Sequence, residues 1–136
     1  MLIFKGAGPS GRIIFISSTL QYTGVQLNTH GVVAKAGVDA LAAQLAIELG
    51  PRGLTSNVIA PGPIGGTEGM FRLIETGEQK DPSRAIPLQR LGLVKDIADA
   101  TVYLLSDAGN YVNGATIVGR WEKPFPLGNP GLGICC

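Results

Sequence analysis

From His30 to Leu49 the chain reads H-G-V-V-A-K-A-G-V-D-A-L-A-A-Q-L-A-I-E-L. After Gly50-Pro51-Arg52-Gly53 it reads T-S-N-V-I-A, Thr55 to Ala60. Val38, Leu41, Leu45 and Leu49 recur at three- and four-residue steps with alanines between them. That period predicts an amphipathic helix with these four on its buried face. Gly50 is expected to end it as a left-handed cap, and Pro51 prevents continuation. Thr55 to Ala60 then reads as a short strand stopped by Pro61-Gly62-Pro63. Working outward, Arg12 to Ser18 (R-I-I-F-I-S-S) is an apolar, β-branched run suited to a buried parallel strand. A helix is expected from about Lys95 to Ser106 with Ile97, Ala98, Val102 and Leu105 inward, followed by a last strand from Ala115 to Val118. Strands alternating with helices predict an α/β fold with a parallel sheet, a partial doubly wound arrangement.

With 136 residues the chain is one domain's worth of sequence, and 45% apolar content argues against disorder. A net charge of +1 without a basic cluster offers no electrostatic footprint for nucleic acid. No apolar run approaches the length of a membrane span. Met1-Leu2-Ile3-Phe4-Lys5-Gly6 is too short and too soon interrupted for a secretory signal. The two cysteines are adjacent at Cys135-Cys136, which fits a reducing compartment and no ordinary bridge. Residues 1–121 are expected to form the folded unit, and the Pro/Gly-rich stretch 122–136 a loose tail. No residue pattern suggests a metal site.

Gly6-Ala7-Gly8-Pro9-Ser10-Gly11 satisfies G-x-G-x-x-G literally. That motif binds a pyrophosphate only where it follows a strand and opens a helix. Here a strand follows, and Pro9 removes one amide, so the segment reads as a loop feeding Arg12. Between Gly62 and Gln89 lies a long connection with a weakly helical stretch, Thr67 to Glu75. Loops of this length inside compact domains are commonly lids over a ligand.

Ser18 stands thirteen residues before Gly31 and seventeen before Lys35, and positions 31 and 35 share one helical face. Downstream come Asn57-Val58-Ile59-Ala60-Pro61-Gly62-Pro63-Ile64 and Thr67, then Pro87-Leu88-Gln89-Arg90-Leu91-Gly92, Asp96-Ile97-Ala98 and Tyr111-Val112-Asn113-Gly114. In this order and spacing, residues 12 to 118 resemble the C-terminal half of the short-chain dehydrogenase/reductase family. The resemblance implies a Rossmann-like fold, with Lys35 on the cofactor ribose and Ser18 orienting a substrate oxygen. It also implies that Pro61, Gly62 and Ile64 lie beside the nicotinamide and that Thr67 approaches the pyrophosphate.

The family's Ser…Tyr-x-x-x-Lys pattern has its tyrosine missing here, because position 31 is glycine. A ketone reductase must protonate oxygen, and glycine cannot. Reduction of a conjugated dienoyl thioester delivers its proton to carbon, and its oxygen needs only stabilisation as charge develops. The peroxisomal branch of the 2,4-dienoyl-CoA reductases has a small residue here after a histidine, as in His30-Gly31. Its Pro-Gly-Pro-Ile-x-Gly-Thr-Glu-Gly stretch is similar to Pro61 to Gly69. That resemblance implies NADPH as cofactor, a fatty acyl-CoA thioester as substrate, a homo-oligomer and a peroxisomal location. The chain's end lacks a Ser-Lys-Leu address, so the alternative location is cytoplasmic. His30 is expected to line the cleft at most, and Met70, Phe71, Leu73 and Ile74 to meet an acyl chain or pack the lid.

The family's N-terminal half has no counterpart here. It carries the Thr-Gly-x-x-x-Gly-x-Gly loop and the residue choosing NAD or NADP. Ile117-Val118-Gly119-Arg120-Trp121 also departs from the family's Val-Asp-Gly-Gly. The chain is therefore expected to be a truncated reductase, weakly active or inactive, with an open sheet edge. Two other readings remain: a carbonyl reductase of the same family, and a noncatalytic fragment pairing with full-length subunits through the helix Val32 to Leu49.

Overall fold

Arg12–Ile16 and Thr55–Ala60 are the central strands of the sheet in a computed structural model of the chain, which describes residues 2–5, 11–24, 28–75 and 82–119. The strands are β1 (Leu2–Lys5), β2 (Arg12–Ile16), β3 (Thr55–Ala60) and β4 (Thr116–Val118), side by side in that order. β2 and β3 run parallel from Arg12↔Thr55 to Ile16↔Ile59, and β4 continues the parallel set at Val58↔Thr116. The helices are α1 (Leu20–Thr23), α2 (Thr29–Leu49), α3 (Glu68–Glu75) and α4 (Val94–Leu105).

β1 departs from the expectation of a wholly parallel sheet. It pairs antiparallel with β2, from Leu2↔Phe15 to Lys5↔Arg12, so that β1 rather than β2 is the edge strand on this side. The reason is chain length: the few residues between Lys5 and Arg12 can close a hairpin but cannot make the crossover that parallel strands need. The glycine-rich segment thus joins two strands, with Gly11 leading into β2; its residues 6–10 lie outside the described ones.

Side chains alternate across the pleat, so each central strand feeds two cores. Ile13, Phe15, Val58 and Ala60 face α2 and meet Ala42, with Val38, Leu45 and Leu49 packed around them. Ile14 and Ile59 face the other way onto Leu104 of α4, with Ile16, Ile97, Ala100, Leu105, Val112 and Ile117 alongside. This is the doubly wound arrangement the alternation predicted.

The inward stripe of α2 is Val38, Ala42, Leu45, Ala46 and Leu49, and Leu41 is exposed. Leu41 sits off the stripe, and small alanines take the inward places where helix and sheet approach closely. On α4 the expected Ala98 and Val102 are exposed, while Thr101 and Leu104 are buried. Thr101 tolerates burial because its hydroxyl donates to the Ile97 carbonyl at 2.8 Å. Gly50 is right-handed (φ −53°) and begins a 3-10 turn, Gly50–Arg52, so the left-handed cap falls on Gly53 (φ 78°).

Three polar residues tie these layers together. Asn57, 2% exposed, donates to the Val112 carbonyl at 2.8 Å and accepts the Ala115 amide at 3.0 Å. Asn113 accepts the Ser56 amide and donates to the Ala46 carbonyl; the Ser56 hydroxyl donates to the Ala42 carbonyl. The loop before β4 is thereby fastened to both β3 and α2.

Candidate functional site

The carboxyl ends of β2 and β3 are held in register beyond the strands themselves. The Ser17 amide donates to the Ile59 carbonyl at 2.8 Å and the Thr19 amide to the Pro61 carbonyl at 3.0 Å. On the far side, the Gly119 amide donates to Ala60 at 2.9 Å. Ligands of open α/β sheets bind at such strand ends.

Two bonds clamp the second turn of α2 onto the end of β2. The Lys35 ammonium donates to the Ile16 carbonyl at 2.8 Å, and the buried Ser17 hydroxyl donates to the Lys35 carbonyl at 3.4 Å. An ammonium has three donors, and among the described residues the Ile16 carbonyl takes one of them. Ser18, next along, is half-buried and accepts the Leu20 amide at 3.2 Å, opening α1.

Gly31 lies one turn before Lys35 on the same face. A Cβ at this position would stand 2.4 Å from Asn28 Oδ1 and 3.0 Å from its Cγ, so the Asn28 carboxamide occupies the space a side chain would enter. His30 is exposed, about 100° around the helix from Gly31. Further along, Asp39 accepts hydrogen bonds from Gln21 Nε2 and, at 2.8 Å, from the Tyr22 hydroxyl. Partial burial, reinforced by the Asp39 carboxylate that its hydroxyl donates to, raises the Tyr22 phenol above its ordinary value.

The segment after β3 turns at Pro61-Gly62 and passes the site. The Gly92 amide donates to Pro63 at 3.0 Å and the Gly65 amide to Gly92 at 2.9 Å, forming a parallel bridge at Ile64. In such a bridge the flanked residue's own N–H and C=O point to the opposite side. The Ile64 carbonyl there accepts the Thr67 hydroxyl at 2.8 Å. Thr67 Oγ also accepts the Met70 amide at 3.3 Å, so Thr67 caps α3. The same bridge closes the long connection at its base. Beyond it Met70 is buried and Phe71 is 59% exposed; the side chains of Leu73 and Ile74 lie outside those described.

The structure therefore gathers Lys35, Ser18 and the Pro61–Ile64 turn at adjoining strand ends, with Thr67 at the base of α3. His30 stands off the Lys35 face. Sequence reading missed Asn28 and the Asp39–Gln21–Tyr22 cluster. The one signal for Asn28 is its spacing: 28, 31 and 35 fall on one helical stripe.

The strand ends thus present an ammonium together with backbone amide and carbonyl groups. Comparison with known proteins adds to this geometry. Residues 3–119 match a family described as Enoyl-(Acyl carrier protein) reductase. A peroxisomal 2,4-dienoyl-CoA reductase of Saccharomyces cerevisiae is 50% identical over 115 residues, covering 82% of this chain and 39% of the relative. A short chain dehydrogenase from Bacillus anthracis superposes with a TM-score of 0.71 at 36% identity, covering 80% of this chain and 42% of that one. A Beutenbergia cavernae structure, described as an NAD(P)-dependent gluconate 5-dehydrogenase with NADP bound, gives 0.75 at 31% identity, covering 82% and 45%. The chain spans about two fifths of the length of the curated relatives it matches.

Proposed function

The chain belongs to the short-chain dehydrogenase/reductase family, and from that premise we propose that it carries the substrate half of an NADPH-dependent 2,4-dienoyl-CoA reductase acting on fatty acyl thioesters. The observation that carries this reading is Gly31 in the tyrosine position, on the face of α2 that Lys35 fixes to the end of β2. The match of Pro61 to Gly69 and of His30-Gly31 to the peroxisomal reductases supports it, as does the yeast relative. A peroxisomal location follows from the same reading.

When bound, the dihydronicotinamide supplies a hydride to the far end of the dienoyl system. With that hydride at the fifth carbon, negative charge would fall on the thioester oxygen, and a proton taken from water at the α-carbon would leave one double bond between the third and fourth carbons. The chain's residues orient and stabilise. The remaining Lys35 donors suit ribose hydroxyls, the Ile64 backbone suits the carboxamide, and Ser18 lies at the strand end where the oxygen develops charge. None of these residues need deliver a proton to oxygen, which is why glycine at 31 is compatible with the reaction.

The test is NADPH consumption by the complete gene product. Loss of NADPH with 2,4-hexadienoyl-CoA and none with ketone substrates is the expected result. Reduction of ketones without dienoyl-CoA would replace this reading with a carbonyl reductase.

A second reading concerns assembly. The outward face of α2 is apolar and small: Val33 and Ile47 are 66% and 73% exposed, with Ala36, Gly37, Ala40 and Ala43 between them. A long helix face of this composition suits close packing against another subunit. We infer that α2 pairs with a further copy of the fold.

A further inference from the structure

Asn28, Gly31 and Lys35 form a stripe along the first two turns of α2, spaced i, i+3 and i+7. Lys35 fixes that stripe at the carboxyl end of β2 through its bond to the Ile16 carbonyl. Asn28 holds the N-cap position, where an asparagine ordinarily accepts an amide of the first turn. Here its side chain makes no such capping bond. Its carboxamide leans over Gly31 instead, with Oδ1 2.4 Å and Nδ2 3.2 Å from where a Cβ would be. The glycine and the asparagine are complementary: a side chain at 31 and the observed pose of Asn28 exclude each other.

We propose that Asn28 takes over the place vacated at position 31. Its carboxamide fills the volume and donates a hydrogen bond to the carbonyl oxygen of the bound thioester. An amide donor at this point supplies what the reaction needs, stabilisation of a developing oxyanion, without an acid that would protonate it. With no capping bond to fix it, rotation about its last torsion exchanges the oxygen and nitrogen ends. The inference rests on the dienoyl thioester reading and adds a substrate-touching residue to it.

The experiment uses the complete gene product with NADP+, which delivers no hydride, titrated with 2,4-hexadienoyl-CoA. A hydrogen bond to the thioester carbonyl polarises the conjugated system and moves its absorbance to longer wavelength. The unaltered protein is expected to show that red shift. Asn28→Ser keeps a capping residue but lacks the amide donor, and is expected to lose the shift and bind about tenfold more weakly. Gly31→Ala pushes only the far end of Asn28 aside, and should lose the shift with its melting temperature little changed. Asn28→Gln, which keeps the amide, should recover part of it.

A serine variant with the shift and affinity of the unaltered protein would show that Asn28 makes no bond to the thioester and overturn the proposal, leaving the dienoyl reading intact. Saturable binding without any shift in the unaltered protein would do the same. No binding of the dienoyl thioester at all, with ketone reduction present, would sink the dienoyl reading and the Asn28 role together.

Discussion

In the proposed reading, Lys35 serves fold and ligand together. Its bond to the Ile16 carbonyl anchors α2 and presents the remaining ammonium donors at the strand ends. Lys35→Met keeps the stem and removes all of them. NADPH affinity, followed by fluorescence titration, is expected to fall on the order of 10- to 100-fold, with helix content unchanged. Asn57 is the counterpart in the core. Asn57→Leu would leave the Val112 carbonyl and the Ala115 amide without their partner. The expected cost is on the order of 2–5 kcal/mol in urea unfolding. Lys35, Ser18 and Gly31 were legible in sequence because their spacing is local to one strand end and one helix. Asn28 was not, since the direction of its carboxamide is a rotamer choice made by packing. Neither was the Asp39 cluster, whose members come together only when α1 folds against α2.

Among the elements, α4 shows what charge adds to a helix start. Leu93 precedes it and has no side-chain acceptor, so Asp96 reaches back to accept the Leu93 amide at 2.8 Å and meets Arg90 at 2.7 Å. The hydrogen bond from Arg90, aided by that amide, holds the Asp96 carboxyl below its ordinary 3.8. A depressed carboxyl stabilises the fold above its unfolded value, and the effect disappears as pH falls through the folded one. Asp96→Asn should therefore lower the melting temperature at pH 7, and the difference from the parent should close in strong acid. Thermal melts across that range check both halves. The apolar period predicted α2 and α4 as elements, with ends within a residue or two. It misassigned Leu41, Ala98 and Val102, because a pattern of large residues cannot show where a close-packed sheet admits only alanine or threonine.

At the scale of the whole molecule, the proposed pairing is tested on the outward face of α2. Val33 and Ile47 are too exposed to support this subunit's own core, so a charge there tests association without testing folding. Ile47→Glu, alone or with Val33→Glu, is expected to leave the circular dichroism spectrum intact and to lower the mass measured by sedimentation. An unchanged mass would show that this face takes no partner. The sheet carries a second whole-molecule feature, the antiparallel β1. It changes the edge of β2 from an open row of amides into a paired one.

The sequence by itself determined the α/β class, the strand–helix–strand unit from Arg12 to Ala60 and the family motifs. It also determined that no acid stands at position 31. These depend on residue type and near-neighbour spacing, which the chain carries directly. Tertiary structure alone decided the antiparallel placement of β1, the two-sided core around Ile13–Phe15 and Val58–Ala60, and the bridge at Ile64. It also decided that the empty place at Gly31 is filled by Asn28. Those depend on which surfaces meet across the fold, where volume and hydrogen-bond geometry choose among side-chain positions that the sequence leaves open.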